Sequence, residues 1–68
     1  MREDPRKKII ELLERYGELN VTRIARMTGL GYRVAVRYLR ELLEQGIVEE
    51  RRYGRLRLFR LRTRSTSL

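Results

Sequence analysis

The chain has 68 residues, with 17 basic and 9 acidic side chains, a net charge of +8, and neither histidine nor cysteine. Such a length supports one domain with a thin core, and the missing residue types exclude disulfides, thiolate chemistry and the usual zinc ligands. No apolar run approaches the roughly 20 residues that cross a bilayer, and the charged N-terminus has no signal-peptide core, so a cytoplasmic protein is expected.

Asp4-Pro5 reads as a helix start, with Asp4 as N-cap and Pro5 at the first helical position. Ile9, Ile10, Leu12, Leu13 and Tyr16 follow at helical spacing, which predicts a first helix over 5–16, stopped by Gly17. Leu19 and Val21 flank Asn20 in a short extended link able to pair with a later strand. Asn20 also suits the N-cap of a second helix over 21–28, with Ile24, Ala25 and either Met27 or Thr28 as its apolar stripe. Gly29 breaks it. A third helix starts at Gly31 or Tyr32 and runs to about Gln45, burying Ala35, Leu39, Leu42 and Leu43 with Val34 and Tyr38 at the border. Gly46 stops it. Ile47 and Val48 begin a strand, Tyr53-Gly54-Arg55 makes a tight turn, and Leu56 to Leu61 returns as the second strand of a hairpin. Residues 1–61 form the expected domain, and 62–68 form a basic, disordered tail.

The charge is unevenly spread. Residues 1–31 carry seven basic and five acidic side chains, residues 32–50 three and four, and residues 51–68 seven and none. Fifteen of the 17 basic residues are arginine, which suits bidentate contact with phosphate and guanine. A polyanion is the natural partner. The third helix is itself polarised: Arg33, Arg37 and Arg40 stand in its first part, Glu41 and Glu44 in its last.

Two short helices joined by a glycine-containing turn make a helix-turn-helix, whose second helix enters the DNA major groove. Ala25 is small enough to let the third helix cross closely, Gly29 is free to adopt φ > 0, and Leu30 plugs the corner. The ordered set Ile24-Ala25, Gly29-Leu30, Leu39, Leu42 and Gly46-Ile47-Val48, followed by an Arg-Tyr-Gly-Arg hairpin, resembles the winged helix-turn-helix domain of small archaeal and bacterial transcription regulators, of the arsenic-repressor and related types. The resemblance covers residues 6–61. It implies a mostly α fold of three helices plus a two-stranded β-hairpin wing, with the third helix in the major groove and the wing on backbone or minor groove. Gly31 stands where the family usually has Ser or Thr, and Ala35 where it has Val or Ile. Either Ala35 faces the core, or Val34 turns inward in its place.

The expected DNA-binding residues are Tyr32, Arg33, Val36, Arg37 and Arg40 on the third helix and Arg51, Arg52, Tyr53, Arg55 and Arg57 in the wing. Val36 can touch a thymine methyl or be a plain surface residue. The three helix arginines can instead be a solvated face, two of them paired within the helix, Arg37 with Glu41 and Arg40 with Glu44. Charged wing strands also guard a sheet edge. Leu56 and Leu58 face opposite to Phe59 and Leu61, so one pair joins the core and the other offers an apolar strip to a partner, a homodimer being expected.

An enzyme is not expected, because Asp4 is used as a cap, Ser65 and Ser67 have no base in view, and no phosphate-cradling glycine motif occurs. No cofactor, metal, membrane or small-molecule effector is expected. The readings are a sequence-specific transcription regulator of double-stranded DNA, a nucleoid-associated architectural protein with little sequence preference, or a protein-interaction winged helix.

Overall fold

The computed structural model describes residues 4–62. Helix α1 spans Pro5–Tyr16, and the Asp4 side chain accepts from the Arg6 amide at 3.0 Å, satisfying one of the donors a helix start leaves open. Strand β1 is only Glu18–Leu19. Helix α2 spans Val21–Thr28, capped by Asn20, whose side chain accepts from the Arg23 amide at 2.8 Å. Helix α3 spans Tyr32–Glu44, and Gly31 caps it without any side-chain bond, as its lack of a hydroxyl requires. Strands β2 (Val48–Tyr53) and β3 (Leu56–Leu61) form the hairpin.

The extended link at Leu19 does find a strand. The sheet is antiparallel in the order β1-β3-β2, with Leu19 opposite Phe59 and Glu18 opposite Arg60. Tyr53 pairs with Leu56, so the hairpin loop is two residues, Gly54-Arg55. Gly54 has φ of +62° and no residue other than glycine has positive φ among the described residues, which fits a II′ turn with glycine first. Gly29 takes the left-handed conformation (φ 78°, ψ 6°) between α2 and α3. Thr28, not Met27, is the buried residue beside it: its hydroxyl donates to the Ile24 carbonyl at 2.7 Å and accepts from the Leu30 amide at 3.3 Å, tying the corner.

Ile9, Leu13, Ile24, Leu39 and Leu42 are the largest fully buried side chains, joined by Ala35, Val48 and Phe59. Ala35 is fully buried while Val34 is 38% exposed, so the inward turn of Val34 does not occur. The residues set this phase: Ala35, Leu39 and Leu42 lie within one narrow arc at about 100° per residue, and Val34 falls outside it. Leu43, expected in the core, is half-buried at its border. Phe59 and Leu61 face the helices, whereas Leu56 is exposed. The Arg62 amide donates to the Ile47 carbonyl at 2.8 Å, one residue past the expected boundary. The rest of the expected tail, 63–68, lies outside the described residues.

Candidate nucleic-acid interface

Arg33, Arg37 and Arg40 are spaced four and three residues apart, which puts them on one exposed side of α3. None of them makes an ion pair among the described residues. The expected pairs Arg37–Glu41 and Arg40–Glu44 do not form. Glu41 turns the other way, toward α1, where its carboxylate accepts from the Arg6 guanidinium. That guanidinium also lies 5.4 Å from the centre of the half-buried Tyr38 ring, so Arg6 joins the two helices by charge and by stacking. A partner held by two groups at once outcompetes a solvated i,i+4 pair.

Tyr32, 54% exposed, opens the helix and faces the wing. Val36 is not a free outward residue. It is half-buried and lines a crevice with Tyr32, Leu39, Arg40, Arg57 and Phe59 between α3 and the sheet. A second, open cleft joins Asn20 and Thr22 at the start of α2 with Tyr32, Arg55 and Arg57. Thus Tyr32, Val36, Arg40, Arg55 and Arg57 come together where α3 meets the hairpin. Thr22 enters this cleft too, and its spacing in the chain gives no sign of it.

In the hairpin the register decides which arginines stand together. Glu50, Arg52, Arg57 and Phe59 share the face toward the helices, because Arg52 lies opposite Arg57 and Glu50 opposite Phe59. Two like charges directly across a ladder repel. Glu50 relieves this: its Oε2 accepts from Arg57 Nε at 2.5 Å and lies 3.7 Å from Arg52 Nε. The Arg57 hydrogen bond holds the Glu50 carboxyl below the usual range against the opposing effect of burial, with the Arg52 charge adding to it. On the other face Arg60 Nε donates to its cross-strand partner Glu49 at 2.6 Å. Arg51 and Arg55 make no ion pair among the described residues, and the Arg51 guanidinium lies 5.9 Å from the Tyr53 ring. Tyr53 and Leu56, cross-strand partners at the tip, are 49% and 45% exposed. Glu50 is the residue that reading the sequence passed over, and alternation by two along the hairpin is the signal that would have placed it beside Arg52 and Arg57.

No group of residues that would hold a metal occurs among the described residues, and no described helix is long and apolar enough to cross a membrane.

Three comparisons bear on this arrangement. The family model described as the IclR helix-turn-helix domain matches residues 8–52, about two thirds of the chain. No curated protein matches the sequence. Among solved structures, a possible transcriptional regulatory protein from Mycobacterium bovis (fragment 1–100) superposes with a TM-score of 0.82 at 34% identity, over 90% of this chain and 64% of that one. A solution structure of a homodimeric winged helix-turn-helix DNA-binding domain from Mycobacterium bovis, a possible ArsR-family transcriptional regulator, gives 0.81 at 36% identity, over 87% of this chain and 54% of that one. The chain therefore spans less than two thirds of the length of either. The Zalpha domain of a Carassius auratus protein in complex with Z-DNA has a TM-score of 0.77 at 24% identity, over 84% of this chain and 90% of that one, a likeness of fold alone. The match across both helices of the corner, together with the sheet-and-helix arrangement of these regulators, makes this chain a winged helix-turn-helix domain and a member of the IclR helix-turn-helix domain family.

Proposed function

We propose that the protein is a transcription regulator that binds double-stranded DNA in a sequence-dependent way, with α3 in the major groove and the hairpin on the backbone or minor groove. The observation that carries this reading is the row of Arg33, Arg37 and Arg40, exposed and without ion pairs among the described residues. Three unpaired guanidinium groups on one helix side form a field that duplex DNA satisfies. Tyr32 and Val36 flank the row, Val36 offering the exposed part of its side chain to a thymine methyl. Arg51, Arg52, Tyr53, Arg55 and Arg57 supply the wing contacts. The reading includes no catalysis. It places the protein at the chromosome, inside the cell, and treats it as a homodimer, as the Mycobacterium bovis domain is described. Dimerisation doubles the footprint and sets two recognition helices about one DNA turn apart.

The test is a titration of duplex DNA at two salt concentrations, with a site selected from random duplexes and with random sequence. Neutralising about 6 phosphates predicts a roughly thousandfold loss of affinity between 50 and 200 mM salt. Binding that ignores salt, or none at 50 mM, would sink the reading. Equal affinity for both duplexes would make the protein architectural instead.

A further inference from the structure

We propose that Glu50 is a positioning residue that sets the sequence discrimination of the wing, by occupying one edge of Arg57 and presenting the other to DNA. This rests on the DNA-binding reading above.

The geometry begins with the register. Arg52 and Arg57 lie directly across the ladder on the face toward the helices, and Glu50 stands two residues before Arg52 on the same face. Its Oε2 reaches Nε of both, at 3.7 Å and 2.5 Å. A guanidinium has two hydrogen-bonding edges that match a planar acceptor pair, one made by Nε with a terminal nitrogen and one by the two terminal nitrogens. Glu50 uses Nε of Arg57, so the terminal edge remains and is aimed away from the carboxylate. Arg57 sits in the cleft with Tyr32 and Arg55, where α3 meets the hairpin. Glu50 itself is held in place, its side chain being only 21% exposed.

Two consequences follow for binding. On random DNA, contact is with phosphates, and there a carboxylate on two arginines cancels one unit of the charge that would displace counterions. On a preferred duplex, an arginine whose edge is already aimed loses less freedom on forming a bidentate contact. Glu50 therefore weakens binding to random DNA more than binding to the preferred duplex. An ion pair that served stability alone would not divide the two.

The experiment uses the full chain with Glu50→Gln, which keeps shape and an acceptor oxygen but removes the charge, and Arg57→Ala alone and combined with it. The expected result is tighter binding of random DNA by about tenfold at 50 mM salt and about threefold at 200 mM, a salt slope steeper by about 1, and a lower ratio of specific to random affinity. In the Arg57→Ala background the same change should lower that ratio less, since the aimed edge is gone and only the charge effect through Arg52 remains. If Glu50→Gln leaves slope and ratio as in the unchanged protein, while that protein binds DNA, the role of Glu50 is overturned and the functional reading stands. The same holds if the ratio falls equally with and without Arg57. If the unchanged protein binds no duplex, both fall together.

Discussion

Helix α3 and the hairpin both present arginine, but in opposite electrostatic conditions. On α3, the charges at positions 33, 37 and 40 stand alone, because the nearest acid, Glu41, is drawn to Arg6 on α1. In the hairpin, Arg52, Arg57 and Arg60 are matched to Glu49 and Glu50 by the ladder, leaving Arg51 and Arg55 without such partners among the described residues. The sequence segment 51–68, with seven basic residues and no acid, looks like the stronger anion binder of the two. Folding reverses part of that impression, since its acids come from just before it, at positions 49 and 50. Net charge along the chain is thus a poor measure of the charge a surface can offer; the pairing register determines how much is left.

The largest effect should come from breaking the unpaired side. Arg37→Ala should cost about 1–3 kcal/mol at a preferred duplex if its guanidinium bridges a guanine, with a smaller loss on random DNA, read by competition titration. Equal losses on both would mean that α3 reads no bases. Arg55→Ala comes next. The tip reaches only backbone or minor groove, so affinity should fall by a similar factor on both duplexes and the salt slope should drop by about 1. If it alone abolished sequence preference, the hairpin would be the reader. Arg60→Ala sharpens the comparison from the paired side. Arg60 lies between Glu49 and Glu18 on the central strand, so the salt slope should stay unchanged while the melting temperature falls. A slope change as large as that of Arg55→Ala would show that paired arginines bind DNA as freely as unpaired ones.

The smallest effect is on pH dependence. Arg57 holds the folded Glu50 carboxyl below its usual range. As pH falls, the unfolded chain therefore takes up this proton first. The stability from the pair is whole above the ordinary glutamate range and is lost as pH falls through the lower, native value. The gap in melting temperature between the protein and Glu50→Gln should hold from about pH 7 down to about pH 5 and narrow as pH falls further. A gap that stays constant would mean the pair adds nothing to stability.

The elements were legible where single residues force the backbone. Asp4-Pro5, Asn20, Gly29 and the Tyr53-Gly54-Arg55 turn mark ends that the structure keeps within a residue, Tyr53 itself closing β2. The phase of α3 was only partly legible: Ala35, Leu39 and Leu42 share one arc, but Val34, Ala35 and Val36 are consecutive apolar residues, so spacing alone leaves Val34 as an alternative, which the buried Ala35 and exposed Val34 of the structure exclude. Side-chain partners were the least legible. Arg37–Glu41 is the nearer pair in sequence, yet Glu41 meets Arg6, 35 residues away, because α1 packs against that side of α3. The cleft of Asn20, Thr22, Tyr32 and Arg55 likewise draws on three elements, and no local pattern announces it.

The position of β3 has a consequence for how the protein is made. It lies between β1 and β2, and it is the last of the described strands in the chain, with Leu19 waiting 40 residues for Phe59. During synthesis the two earlier strands have no partner, and Ile9, Leu13 and Val48 lack part of their cover, until Leu61 has emerged from the ribosome. Closure of the core is then late and cooperative, since a contact so distant along the chain must form before the local ones are secured. A product cut short before Leu56 would carry α3 and its arginines without the central strand of the sheet, and should show no cooperative melting transition like that of the full chain.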